Sequence, residues 1–287
     1  MRKKIERETT LLDALARLFP DSSRTTLRQM LKSRRIRVNG RISIDARHPL
    51  TAKDVIDIGR KDDRGLLPPE LTLLYEDDWL LVIVKAAGLL TVATKAGEGE
   101  ETAHAYLNAY LGAKKGRERI HVVHRIDRDT SGVLLFAKDF ETRELLKDAF
   151  AAHDIDRVYV AIVEGALDPE HGTIQSYLRE NPKTFLVQST PRKTEGKLAV
   201  THYRTIARGE RYSMLEVTLE TGRKNQIRAH LSEAGHPVIG DERYGSTTNP
   251  IGRLGLHAKL LGFVHPHANR KLSFTDPIPD AFARLKL

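Results

Sequence analysis

The chain has no cysteine, which removes disulfides and thiolate-bound metal from consideration. It also has no long apolar run, and its start, Met1 to Glu8, is charged where a secretion signal would carry an apolar stretch. The expectation is a soluble, cytoplasmic protein with no membrane segment. Internal repeats and low-complexity tracts are missing too, so a stacked-repeat architecture is not expected. What is present is 287 residues, 40% of them hydrophobic, enough for one large core and a smaller module.

Charge is unevenly placed. The formal net charge is +9, and residues 1–60 hold 15 Lys/Arg against 7 Asp/Glu. A basic appendage therefore precedes a nearly neutral body, and its natural partner is a polyanion, nucleic acid first. Thr9 or Thr10 can cap a helix that carries Leu11, Leu12, Leu15, Leu18 and Phe19 at helical spacing as far as Pro20. Ser22 or Ser23 can cap a second, with Leu27, Met30 and Leu31 inward and Arg24, Arg28 and Lys32 together on the exposed side. Arg35 to Val38 and Arg41 to Ile44 alternate at period two around Asn39-Gly40, the strongest short hairpin signal.

Seven basic residues between Arg24 and Arg41 thus gather on one helix and one ribbon. Arg24, Arg28, Lys32, Arg35 and Arg37 are the expected nucleic-acid contacts. From about Thr10 to Ile58 the segment resembles the S4 RNA-binding domain. That resemblance implies binding to structured RNA through phosphate and shape rather than base sequence. Gly59 to Glu70, with its charges, glycines and prolines, reads as a linker. The expected organisation is an S4-like module over 1–60, a linker over 61–70 and a body over 71–287.

The body is organised around His121-Val-Val-His-Arg-Ile-Asp-Arg-Asp-Thr-Ser-Gly132, which runs into the apolar strand Val133 to Lys138. A turn so dense in polar groups is either solvated or a site. Strands are predicted at Leu73 to Tyr75 and Trp79 to Lys85, and a helix at Thr102 to Leu111. A second helix is predicted over Glu141 to Phe150. The strand Arg157 to Gly165 follows, with Val158, Val160 and Ile162 on one face and Tyr159, Ala161 and Val163 on the other. A further strand, Met214 to Leu219, leads through Thr221-Gly222 into a helix that ends near Gly235. A Thr-Gly turn and helix start beside Arg223 and Lys224 suits a phosphate. Helical spacing turns Ile227 and Leu231 inward and leaves the side of Arg228 undetermined. With another strand at Leu256 to Leu260, the order suggests a mixed, mostly antiparallel α+β fold.

Three separated segments together are similar to one family. His124-Arg-Ile-Asp-Arg-Asp-Thr-Ser-Gly132 resembles the HRLDxxTSG signature of the RluA family of RNA pseudouridine synthases, and Arg157 to Ala161 resembles its second block. Thr221 to Leu231, with Gly235-His-Pro237, Gly240-Asp241 and Tyr244-Gly245, resembles its third. The chain departs from the family at Ala86, usually Pro, at Arg157, usually Lys, and at Lys224-Asn225, usually Thr-His.

The resemblance implies that uridine in RNA is isomerised: the bond from ribose to N1 breaks and one to C5 forms. It implies Asp127 as the essential carboxylate, acting either by attack on the ribose or by promoting departure of the base with loss of the 2′ proton. Tyr159 would lie against the base as proton acceptor, Arg228 would pair with Asp127, and Arg125 would fill the gap left by the extruded base or hold the displaced strand. His124, Thr130, Arg223, Lys224 and Gln226 are expected around the substrate. No cofactor or metal is implied, and the protein is read as a monomer. An S4 module favours large-subunit ribosomal RNA. The alternatives are a transfer RNA pseudouridine synthase and an inactive RNA-binding assembly factor. A protein-kinase loop is set aside, because Ile126 separates Arg125 from Asp127 and no Gly-rich loop or DFG flanks it.

Overall fold

The structure, a computed structural model, describes residues 2–32, 36–39, 41–43, 45–58, 67–93, 101–115 and 119–285. The chain divides into two compact units, Met1–Thr72 with Glu101–Ile120, and Leu73–Glu100 with His121–Leu287.

In the first unit the Thr10 hydroxyl accepts the Asp13 N–H at 3.3 Å and starts α1 (Leu11–Leu18). Ser23 does the same for the Thr26 N–H at 3.1 Å ahead of α2 (Arg24–Lys32). The apolar stripes of both helices, Leu11, Leu12, Leu15, Leu27 and Leu31, are buried in one core with Ile36, Val38 and Ile56. That core lies on a sheet formed by β1 (Arg2–Lys4), β3 (Ile36–Val38), β4 (Arg41–Ile42) and β6 (Val55–Ile58), in the order β1-β6-β3-β4. β2 (Thr9–Thr10) pairs separately with β5 (Pro49–Leu50). The expected hairpin joins β3 to β4 through Asn39, whose φ of +52° is the left-handed conformation asparagine tolerates. Arg35, Gly40 and linker residues 61–66 lie outside the described residues. α3 (Ala103–Lys115), read from the sequence as part of the body, is grouped by its contacts with the N-terminal segment.

The second unit is built on an eleven-stranded sheet. Its strands are β7 (Leu71–Glu76), β8 (Leu80–Lys85), β9 (His121–Val122), β10 (Ser131–Ala137), β11 (Asp156–Glu164), β12 (His171–Glu180), β13 (Val187–Thr190), β14 (Lys197–Arg208), β15 (Tyr212–Leu219), β16 (Leu256–Val264) and β17 (Lys271–Thr275). The main order is β13-β12-β14-β15-β11-β16-β10-β8-β7. Among the described strands only β10 and β16 pair in parallel, so the fold is α+β and mixed, mostly antiparallel, as expected. Gly132 permits that junction. Its φ is +118°, and a Cβ there would run into the Ala258 carbonyl.

Along β11 the alternation holds. Val160 and Ile162 pack with Ile239 and Phe282, while Ala161, Val163 and the ring of Tyr159 pack with Ile227 and Leu231 of α5 (Gln226–Glu233). α4 (Phe140–Ala151), capped by Asp139, follows β10, and α6 (Asp280–Ala283) ends the described chain. β12, β13 and β14 were not foreseen.

Candidate active site

Asp127 stands on the turn between β9 and β10, and that turn is held from both sides. The Ile126 carbonyl accepts the Thr91 hydroxyl at 2.8 Å. The Arg128 carbonyl accepts both the Gly88 N–H and the Lys85 ammonium, each at 2.9 Å. Lys85, fully buried, also donates to the carbonyls of Ala86 at 2.9 Å and Leu89 at 2.7 Å. Three donors thus meet three acceptors and fix the loop backbone one residue past the carboxylate. Burial pulls the Lys85 ammonium down to about 7, with the charges of Asp129 and Asp127 opposing.

The Asp127 side chain, 29% exposed, is gripped through one oxygen. Oδ2 accepts Asn225 Nδ2 at 2.6 Å and Arg228 Nη1 at 3.2 Å. Oδ1 has no protein donor among the described residues, which leaves one oxygen of the carboxylate open for chemistry. Arg228 is in turn fixed by Asp241, Nε to Oδ2 at 2.6 Å and Nη2 to Oδ1 at 2.7 Å, and its guanidinium lies 4.7 Å above the Tyr244 ring. Burial works against the Arg228 cation, but Asp241 and then Asp127 outweigh it and raise its pKa above the ordinary value.

Tyr159 reaches the same place from β11. Next to it the pairing with β16 shifts by one residue between Val158 and Tyr159, a bulge that re-aims side chains. The phenol makes no hydrogen bond among the described residues. Burial pushes it up to about 12, the Arg157 cation pulling against this and the Asp127 charge adding to it. It is therefore a neutral phenol at neutral pH.

Three expected substrate contacts are corrected. The His124 Nε2 accepts the Leu135 N–H at 3.1 Å and its ring stacks on Phe150 at 4.9 Å, which ties the half-buried ring to the strand and helix behind the loop. Burial, with the Arg157 charge, takes its pKa down to about 3. Thr130 is 2% exposed, with its hydroxyl sealed inside. Gln226 spends its whole amide on the fold. Its Oε1 accepts the Thr221 hydroxyl and the Arg223 N–H at 2.8 and 3.0 Å, and its Nε2 donates to the Val200 carbonyl and the Thr201 hydroxyl at 3.0 and 2.9 Å.

Both cations of the expected phosphate cradle at the start of α5 are exposed, each with a contact inside the chain. Arg223 Nε donates to the Leu198 carbonyl at 2.9 Å and Lys224 pairs with Glu180, so both cations are engaged. Of the basic residues in the first unit, Arg28 is exposed and Arg24 pairs with Asp13 at 3.3 Å on the surface. Arg37 is half-buried, and its Nη2 donates to the Leu67 carbonyl at 2.9 Å. The side chain of Lys32 and the whole of Arg35 lie outside the described residues. Arg125 is exposed, with no ion pair among the described residues.

Two residues escaped the sequence reading. Asn225 appeared there only as a departure from a motif, yet it holds the carboxylate from a left-handed backbone of φ +51°, ψ 22°. Asp241 appeared as a motif letter without a partner.

Comparison with known proteins places this geometry. The family model described as RNA pseudouridylate synthase matches residues 79–233, and that of the S4 domain matches residues 10–56. The chain is 34% identical over 286 residues to the ribosomal large subunit pseudouridine synthase D of Neisseria meningitidis, covering 94% of this chain and 76% of that protein. It is 33% identical over 279 residues to the uncharacterized RNA pseudouridine synthase YlyB of Bacillus subtilis, covering 94% and 91%. In fold it is similar to human RNA pseudouridylate synthase domain containing 4, with a TM-score of 0.61 at 23% identity over 74% of this chain and 90% of that one. The turn bearing Asp127, the strand bearing Tyr159 and the helix bearing Arg228 all fall inside the matched span, and the chain belongs to the RNA pseudouridylate synthase family, as an isomerase with an S4 domain in its N-terminal unit.

Proposed function

We propose that this enzyme isomerises uridine to pseudouridine in large-subunit ribosomal RNA, with Asp127 as the acting carboxylate and no cofactor. The observation that carries the reading is the one-sided grip on Asp127. Two donors converge on Oδ2 and, among the described residues, none on Oδ1, which leaves one carboxylate oxygen open to meet the ribose or to support the base as it departs. The reaction moves one glycosidic bond from N1 to C5 and transfers the C5 proton to N1 or solvent, so atoms and electrons balance without a co-reactant.

Tyr159 enters as a neutral phenol. It takes the C5 proton only while passing its own on, a shuttle rather than a free base. Arg125, exposed and unengaged among the described residues, is the residue we assign to the gap left by the extruded uridine. The S4 module over residues 1–60, with Arg24 and Arg28 on its surface, is assigned to capture of structured RNA.

The ribosomal target is supported by the relative named for the large ribosomal subunit, and a ribosomal RNA substrate in turn argues for a cytoplasmic place of work. Among the described residues no helix is long and apolar enough to cross a membrane. The test is a pseudouridine map of total RNA from cells with and without the gene. The expected result is loss of one or a few pseudouridines from large-subunit ribosomal RNA. Losses confined to transfer RNA, or no loss at all, contradict the proposal.

A further inference from the structure

Between β12 and β13 the chain turns through residues 181–186, and Phe185 stands there with 60% of its surface exposed. Its φ is +57°, a left-handed conformation that bulky side chains rarely adopt. The turn is nonetheless well tied. Asn181 Oδ1 accepts the N–H groups of Lys183 at 2.9 Å and Thr184 at 3.3 Å, and its carbonyl accepts the Phe185 N–H at 2.8 Å. The Asn181 N–H donates to the Leu186 carbonyl at 2.8 Å, and Arg243 Nη2 holds the Thr184 carbonyl at 3.2 Å. A large apolar ring held mostly outward on a disfavoured backbone gains little from packing within this chain.

Both feet of the turn connect to the partners of Asp127. At the end of β12, Glu180 pairs with Lys224, whose neighbour Asn225 donates to the carboxylate. At the start of β13, the Val187 N–H donates to the Tyr244 hydroxyl at 3.0 Å, and Arg228 lies over the Tyr244 ring while it reaches Asp127. The turn is therefore carried by the same elements that hold the Asp127 carboxylate.

We propose that Phe185 stacks on an unpaired base of the RNA beside the extruded uridine, and that Lys183 meets the adjoining phosphate. The inference rests on the RNA-modifying reading above and adds the residues that grip the strand. A protein partner would call for a contiguous apolar patch, whereas a single ring flanked by Lys183 and Arg243 offers one flat face and positive charge, the pair that a single-stranded nucleotide engages.

The test measures tritium release from an in vitro transcript of bacterial large-subunit ribosomal RNA labelled at uridine C5, with the full chain and with F185A, F185G and F185W. F185A and F185G are expected to raise KM about tenfold or more, with kcat changing less than threefold, and F185W to return KM to near wild type. F185G also relieves the left-handed backbone, so its unfolding midpoint is expected to hold or rise while KM climbs, which a purely structural role would not produce. Wild-type KM in both F185A and F185G, or a KM in F185W as high as in F185A, overturns the inference while leaving the functional reading intact. No release by the wild-type chain overturns the functional reading, and this inference with it.

Discussion

Asp241 holds the Arg228 guanidinium by two parallel hydrogen bonds of 2.6 and 2.7 Å, which leaves Nη1 as the arm that reaches Asp127. The order of strength matters. The buried pair fixes the arginine, and the longer 3.2 Å contact is what the arginine then presents to the site.

Loss of Arg228 is expected to damage stability through Asp241 more than through Asp127. The Asp241 side chain is 2% exposed and would be left as a buried, unpaired carboxylate, whereas Asp127 is partly exposed and keeps Asn225. R228A is expected to lose about 3–5 kcal/mol in urea unfolding, and R228A/D241A to recover most of it, with turnover absent in both. A double variant as unstable as the single one would place the cost elsewhere.

Asn225 combines a backbone duty with a chemical one. At φ +51° alanine costs about 1–2 kcal/mol, while glycine takes the conformation freely. N225G is therefore expected to unfold near the wild-type urea midpoint yet turn over roughly tenfold more slowly, since Asp127 loses a charge-assisted hydrogen bond. N225A should show both defects. Equal kcat in wild type and N225G would remove Asn225 from the site.

Lys85 gives a dependence on alkaline pH. Its folded pKa of about 7 lies below its ordinary 10.5, so between those values the unfolded chain holds a proton that the folded chain has released. Stability then rises with pH across that window, and the relief is absent below it. K85M, which strands three carbonyls, is expected to be several kcal/mol less stable at pH 7 and to lack this rise. Urea unfolding of both proteins between pH 7 and 10 decides the matter, and parallel curves would contradict it.

Acid acts through His124. The folded ring titrates at about 3 against an ordinary 6.5, so below 6.5 the unfolded chain binds the extra proton and stability falls until about pH 3. His257, brought down to about 4 by burial, works in the same direction. H124Q keeps an acceptor for the Leu135 N–H without a titrating ring. Its stability is expected to fall less steeply between pH 6.5 and 4, by up to one proton or about 1.4 kcal/mol per pH unit. An unchanged slope would show that His124 does not titrate in this range.

Asp127, Tyr159 and Arg228 stand out in the sequence only through the three segments that resemble one family, since spacing alone leaves Tyr159 an ordinary strand residue and the side of Arg228 undetermined. The partners of those residues do not stand out. Asp241 is 13 positions from Arg228 and Asn225 is 98 from Asp127, and no spacing rule joins them. His124 and Gln226 mislead for the opposite reason. A polar residue inside a functional motif looks like a substrate contact, while their hydrogen bonds to Leu135, Val200 and Thr221 become visible only once distant strands meet.

β12 and β14 are hidden by chemistry rather than distance. Their buried positions include Thr201, paired to His230, and the neighbouring Ser176 serves the same ring, so polar side chains stand where apolar ones would mark a strand. Phe185, by contrast, is a plain apolar letter whose exposure only the fold reveals.

The most direct measurement is tritium release from uridine-labelled large-subunit ribosomal RNA by D127N, run beside its RNA affinity. Replacing one carboxylate oxygen with an amide keeps the shape of the side chain and removes its charge. Release is expected to disappear while RNA binding stays within a few-fold of wild type. Release at the wild-type rate would contradict the role assigned to Asp127.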